Sequence, residues 1–521
     1  MFVQYERPFP DGYAPPPDGV RATKDVGVLL KTGDDGAGVL VEERLSGGSP
    51  PHDRLPLAVT PGPPPDARSI EAALRELGDA VVAGGLHPQP GLDILRRQPP
   101  RLLGGGPLPT LSLERDDPVE TLTTAVLALD RSYCAVQGPP GTGKSHIGAR
   151  VIRRLGEAGW RVGVVAQSHA VVEGLLDKVV DAGLPAARVG KHRRDGASPC
   201  SFTVIKNNGH AGFLDEHDGT GCVIGGTAWD FTNTRRISRG SLDLLVIDEA
   251  GQFSLANTLA VSVAAQRLLL LGDPQQLPQV SQGTHPLPVD DSALGWLLAD
   301  HDTLPPERGF FLDRTWRLHP DLCAPVSRLS YEGRLSSCTP ERHLDGFAPG
   351  VHTVLVEHTG NATESPEEAD EVVRQVAGLL GRTWTDDGAS APLGEAGVLV
   401  VAAYNAQVAL IRKRLTDAGY GGVRVGTVDK LQGREAPVVV VSMAASAVED
   451  VPRGMGFLLS RNRVNVAVSR GKWAAIVIRS PRLTDYLPSS PGALAELGAF
   501  IGLCDASVDH PARPAAVGVA R

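Results

Sequence analysis

What this 521-residue chain lacks already closes several classes of answer. Long apolar runs are missing: the strongest, Leu268 to Leu271 and Val438 to Val441, are strand-length, far short of the roughly 18 residues a membrane span needs. Cysteine is rare and scattered, at Cys134, Cys200, Cys222, Cys323, Cys338 and Cys504, with no Cys-x-x-Cys pair. That spacing argues against a zinc ribbon or a disulfide framework and points to reduced thiols in a cytoplasmic protein. Aromatics make up only 5% of the chain, which leaves its cores to aliphatic and small residues. The opening Met1-Phe-Val-Gln-Tyr-Glu-Arg-Pro has no basic stretch followed by an apolar one, so no signal peptide is expected. Basic residues are outnumbered 51 to 60, a net charge of −9. Coating nucleic acid by bulk charge is thereby excluded, but a local groove is not.

Glycine (60) and proline (42) are plentiful, and the texture of the chain changes along its length. Two β-rich runs from Val26 flank Asp35-Gly36, a hairpin signal. A connector, Pro61 to Pro65, precedes an amphipathic helix with Ser69 as N-cap and Ile70, Leu74, Leu77 and Val81 on one face. From about Glu120, continuous Val/Leu/Ile runs alternate with helical stretches. Strands are predicted at 133–137, 162–166, 242–247 and 267–271, then at 353–357, 398–402, 423–428, 438–443 and 474–478. This is the pattern of parallel sheets covered on both faces, an α/β class with two domains in tandem joined near Pro305-Pro306. The expected division is an accessory β-rich and helical module over 1–112, α/β domains over 113–305 and 306–505, and a disordered tail over 506–521.

Gly138-Pro139-Pro140-Gly141-Thr142-Gly143-Lys144-Ser145-His146 follows a predicted strand and opens a predicted helix. Glycines let successive N–H groups curl toward a β-phosphate, the helix start adds its positive dipole end, Lys144 neutralises β/γ oxygens and the Ser145 hydroxyl ligates Mg²⁺. The buried run Leu242 to Ile247 ends in Asp248-Glu249. Asp248 completes a Mg²⁺ shell there, and Glu249 orients and deprotonates an attacking water. Together the two half-sites predict hydrolysis of a nucleoside triphosphate.

Later motifs narrow the class: Asp-Glu-Ala-Gly-Gln252, Gly272-Asp-Pro-Gln-Gln276-Leu-Pro, Thr315-Trp316-Arg317-Leu-His-Pro320 and Tyr331-Glu-Gly-Arg-Leu335 come first. Tyr404-Asn-Ala-Gln407, Gly426-Thr427-Val-Asp-Lys-Leu-Gln432-Gly-Arg-Glu435 and Arg463-Val-Asn-Val-Ala-Val-Ser-Arg470-Gly-Lys472 follow. In this order they resemble the motif series of superfamily 1 helicases, in the branch of the RNA-decay and immunoglobulin-mu-binding helicases. Gln167-Ser-His-Ala and Gly226-Thr-Ala-Trp229 are similar to the helicase half of bacterial RecB-like nuclease–helicase fusions. The resemblance spans about Glu120 to Arg482 and implies two RecA-like domains, with ATP and Mg²⁺ as cofactors. It implies that Gln252 and Gln276 sense the γ-phosphate, that Arg317 and Arg470 act as arginine fingers, that Glu435 contacts the nucleotide, and that Trp316 stacks on the adenine. It sets Gln167, Ser168, Gly226, Thr227, Tyr404 and Thr427 along a single strand, DNA in preference to RNA, with 5′-to-3′ movement. Arg317 can equally be a salt-bridge partner and Arg470 a helix cap, while Trp229 and Tyr404 suit a core as well as a base.

Two departures from the pattern bear on function. The Gln that reads adenine ahead of the phosphate loop is missing from Glu120-Thr-Leu-Thr-Thr-Ala-Val, which weakens the expectation of a strict ATP preference. No Glu-x-Lys occurs anywhere, so the nuclease of the fusion relatives is expected to be absent, and a separate nuclease subunit becomes a possible partner. The alternatives are a strand-stimulated ATPase that remodels complexes without unwinding, and a regulatory subunit of a split nuclease–helicase.

Overall fold

The computed structural model describes residues 2–13, 19, 21–25, 29–32, 39–43, 50–60, 66–193, 199–279, 281 and 285–505. The chain divides into two compact units, Met1–Ala67 and Arg68–Arg521.

In the first unit, Phe2–Glu6 pairs antiparallel with both Arg21–Asp25 and Ala58–Thr60. Its alternation sends Val3 and Tyr5 inward, where Tyr13 and Ala22 join them in a small core. Leu29–Thr32 and Val39–Glu42 form a separate antiparallel pair, in register Leu29 to Glu42. The turn expected at Asp35-Gly36 lies outside the described residues, as do the connector at 61–65 and the tail at 506–521.

The second unit is built on two large parallel sheets. The first has eight strands in the order Gly309–Phe311, Tyr133–Gln137, Leu268–Gly272, Leu244–Asp248, Arg161–Val165, Cys222–Gly226, Val189–His192 and Thr203–Ile205. All five residues of its central strands are buried, and alternate residues feed different cores: Tyr133 and Ala135 one, Cys134 and Val136 the other. Neither face meets solvent, which is why these strands read as unbroken apolar runs. The second sheet orders Gly350–Leu355, Gly471–Arg479, Ala436–Ser442, Val398–Ala402 and Arg424–Thr427, again all parallel and covered on both faces.

Three boundary expectations change. Helix Arg68–Gly84 belongs to the larger unit, because Ile70 and Ala73 are buried in the core under the first sheet. Ser69 sits in its first turn instead of capping it, with its Oγ accepting from the Thr232 hydroxyl at 3.0 Å. The crossover between sheets also falls later than Pro305-Pro306: Gly309–Phe311 still pairs with the phosphate-loop strand. No helix among the described residues is long and apolar enough to cross a membrane.

Candidate active site

The carboxyl ends of the first sheet's strands open onto a cleft, the place where open α/β sheets gather ligands, and the segments that lead into Ala436–Ser442 and Gly471–Arg479 of the second sheet form its other wall. Its volume is about 750 Å³, and its wall carries 138–146 together with Asp248, Glu249, Gln252 and Gln276 from the first sheet. Arg317, Gln432, Gly433 and Arg470 come from the segments around the second.

The phosphate loop is built as its sequence requires. Strand Tyr133–Gln137 ends, the backbone turns through left-handed Gly141 (φ +79°) and Gly143 (φ +78°), and the helix Lys144–Glu157 starts. Any Cβ at Gly141 would lie 2.4 Å from the Arg317 Cβ and 2.6 Å from the Thr315 Oγ1. That position must be glycine, because the Thr315-Trp316-Arg317 segment is stitched onto the loop. The Trp316 N–H donates to the Gly141 carbonyl at 2.9 Å, and the Thr315 hydroxyl to the Pro140 carbonyl at 2.7 Å. Gly251 and Gly272 bring the two neighbouring motifs equally close: a Cβ on Gly251 would sit 2.4 Å from the Asp273 carbonyl oxygen.

Charge is concentrated at the base of the cleft. Lys144, 9% exposed, lies 3.1 Å from the Glu249 Oε2. Burial pulls its pKa down, but Glu249, Asp248 and Asp273 outweigh burial and hold it above the ordinary lysine value. Burial pushes Asp248 up to about 6 against the pull of Lys144. Asp248 also accepts the Glu249 N–H at 3.0 Å, and Glu249 stands at a left-handed φ of +53°, a strained conformation of the kind that gathers at functional sites. Arg470 is buried, its Nε donating to the Val466 carbonyl at 2.9 Å. Burial and the neighbouring Arg317 lower it to about 10, which leaves it cationic at neutral pH. Arg317 pairs with the Glu435 Oε2 at 2.7 Å, and Lys472 reaches the other Glu435 oxygen at 3.3 Å.

A magnesium nucleotide fits this donor set. Gln252 Nε2 is buried on the cleft wall without a hydrogen-bond partner among the described residues, as an amide awaiting an acceptor would be. Ser145 and Asp248 line the same cleft and offer the two hard oxygens that a Mg²⁺ ion takes from protein beside phosphates.

Other expected residues are distributed differently. Gln167 and Ser168 line this cleft too, because helix His169–Asp181, capped by Ser168, packs beside the phosphate-loop helix. Trp316 is 57% exposed, and neither it nor Glu435 is on the cleft wall. Gly226 and Thr227 end strand Cys222–Gly226, and the Asp230 carboxylate holds the Thr227 N–H at 2.7 Å and its hydroxyl at 2.9 Å. Thr427 ends strand Arg424–Thr427. Tyr404 is 8% exposed within the second core, its ring 5.8 Å from Phe457, whereas Trp229 is 38% exposed. Sequence reasoning gave no role to Asp273, Tyr331 or Asn465, which sit in quoted motifs and connect the sheets. The signal available was their presence inside those motifs.

Two family models described as "AAA domain" match residues 120–287 and 290–482. The chain is 26% identical to the Regulator of nonsense transcripts 1 homolog of Drosophila melanogaster, over 75% of this chain and 36% of that protein. It is 22% identical to the DNA replication ATP-dependent helicase/nuclease DNA2 of Saccharomyces cerevisiae, over 76% and 27%. Against the DNA polymerase alpha-associated DNA helicase A of Schizosaccharomyces pombe the figures are 24%, 66% and 60%. The chain thus spans only about a third of the first two relatives. Among solved structures, the Arterivirus nonstructural protein 10 (helicase) with DNA is similar at 16% identity and a TM-score of 0.39, over 73% of this chain and 64% of that one.

Proposed function

We propose, from the premise that this chain belongs to the superfamily 1 helicases, in the branch of the nonsense-transcript regulators and the DNA replication helicase/nucleases, that it is an ATP-driven motor on single-stranded nucleic acid. One observation carries the reading: a single cleft joins a phosphate loop, paired acids and two glutamines from one sheet to two arginines from the other. Such a cleft changes its charge balance with nucleotide state, and the sheets on either side respond.

Lys144 and the Gly138–Gly143 backbone bind the β- and γ-phosphates; Ser145 and Asp248 hold Mg²⁺, which supplies charge neutralisation at the transferring phosphoryl group. Glu249 orients the water and takes its proton. Gln252 and Gln276 register the γ-phosphate through their amides. Arg317 and Arg470 complete the charge stabilisation, a contribution of roughly 10³–10⁵ in rate for such a finger. Arg317 must loosen its pair with Glu435 to do so. Trp316 and Glu435 serve the base and ribose side once the cleft closes.

The track is a single strand, DNA before RNA, moving 5′ to 3′ past Gln167, Ser168, Gly226, Thr227, Tyr404 and Thr427. Polar side chains and backbone N–H groups hold phosphates without reading sequence, which suits an acidic protein. We place this motor in DNA processing. The test is strand separation with ATP on duplexes that carry a 5′ overhang, a 3′ overhang or both arms of a fork. Displacement confined to a 5′ overhang supports the motor and its direction. Stimulated hydrolysis with no displacement leaves a remodelling ATPase.

A further inference from the structure

Between the sheets runs a chain of buried polar groups that the reading above does not use. Asp273 follows strand Leu268–Gly272, Tyr331 follows helix Pro320–Ser330, and Asn465 lies on helix Arg461–Val468, which leads directly to Arg470. Tyr331 and Asn465 are fully buried and Asp273 is 1% exposed. Asn465 Nδ2 donates to the Tyr331 Oη at 2.8 Å and to the Gln275 carbonyl at 2.8 Å. The Tyr331 hydroxyl in turn donates to the Asp273 Oδ2 at 2.7 Å. Onto that same oxygen Gln276 donates its side-chain amide at 3.0 Å. Asn462 adds two bonds to the same loop, to the Pro274 carbonyl at 2.9 Å and the Gln276 carbonyl at 2.5 Å.

The directions in this chain are fixed by chemistry. A side-chain amide nitrogen only donates and a carboxylate only accepts, so the Tyr331 oxygen must accept from one side and donate to the other. Apolar side chains of similar shape would fill the seam at little or no cost in stability, whereas each buried polar group must be satisfied. The hydrogen bonds this network does make specify one arrangement of the elements it joins. Asn465 Oδ1 and Ser469 Oγ, on the arginine side of the seam, have no partner among the described residues, which leaves acceptors unused for a second arrangement.

We propose that Tyr331 is a positioning residue: its hydroxyl ties the Gln276 amide, through Asp273, to the Asn465 helix that carries Arg470, so that movement of one sheet places the glutamine and the finger together. This rests on reading the cleft as the ATPase site of a strand motor. Asn465 is the partner through which Tyr331 acts, and neither side chain is on the cleft wall.

The test is steady-state ATP hydrolysis by the full chain, with and without saturating oligo(dT), in wild type, Tyr331→Phe, Asn465→Ala and the double variant. Thermal midpoints confirm that each is folded at the assay temperature. Tyr331→Phe keeps the ring and loses only the hydroxyl. We expect it to lower strand-stimulated kcat by about tenfold or more while the KM for ATP stays within about threefold, the signature of an interaction made in the transition state. The double variant should lose about as much as Tyr331→Phe alone, because members of one unit are not additive. Stimulated kcat within about twofold of wild type, a loss shared equally by KM and folded fraction, or additive losses in the double variant would each overturn the role of Tyr331. Wild-type protein that no single strand stimulates would remove the motor reading, and this coupling with it.

Discussion

Lys144 is held by the acids around it in this structure: its ammonium rests on Glu249, and Asp248 and Asp273 raise its affinity for the proton. Lys144→Ala therefore removes the proposed phosphate partner and also leaves buried carboxylates without their cation. Phosphate release by that variant should fall below about a thousandth of wild type; near-normal turnover would remove the phosphate-loop assignment. Arg470 makes the sharper case, because its Nε bond to Val466 also suits a helix cap. Arg470→Ala should keep binding of a fluorescent ATP analogue within severalfold while turnover drops about 10³-fold. A collapse of the thermal midpoint in its place would assign Arg470 to scaffolding. The site residues whose gathering was most legible in the sequence were those fixed by spacing, Gly138 to Ser145 and Asp248-Glu249, which line one cleft. The Arg317–Glu435 pair and the Asp273–Tyr331–Asn465 chain were not legible, because both join segments far apart in sequence, and the chain's meeting depends also on how two sheets face each other.

At the scale of elements, unbroken apolar runs marked Tyr133–Gln137 and Val398–Ala402 to the residue. Four strands of the first sheet escaped: Val189–His192, Thr203–Ile205, Cys222–Gly226 and Gly309–Phe311. Three of them run only three or four residues, Cys222–Gly226 ends in two glycines, and Val189–His192 even carries a charge inward, since Lys191 is 1% exposed and neutralised by Glu173 at 2.9 Å. Tertiary pairing, not pattern, makes these strands. The start of helix Ala228–Thr232 offers a test of another local device. Burial raises the Asp230 carboxyl, but the Thr227 N–H and hydroxyl, His210 and Arg236 outweigh it and leave the pKa below the ordinary aspartate value. A depressed folded pKa means stability that is present above about pH 4 and lost as pH falls through the folded value. Asp230→Ala should cost about 1–2 kcal/mol at pH 7. Its deficit in thermal midpoint, at one fixed scan rate, should shrink from pH 7 to pH 3.5. A deficit that is constant or grows toward acid would show that the carboxylate is not the stabilising form.

Over the whole molecule, the proposed motor has a net charge of −9, and an acidic motor has to grip its polyanionic track locally. A few polar contacts at strand ends release few counterions, so the affinity for oligo(dT) should fall only about tenfold to a hundredfold between 50 and 200 mM salt, less than a basic-surface binder making 6–10 phosphate contacts loses. A steeper slope would point to a cationic face in place of the strand-end path. The central claim, that the cleft between the two sheets drives motion on a strand, is tested most directly by ATP hydrolysis of the purified chain, alone and with single-stranded DNA, single-stranded RNA or blunt duplex. A strand motor turns over at least about tenfold faster with a single strand, DNA most strongly, and gains little from blunt duplex. Turnover that no polymer changes would contradict it.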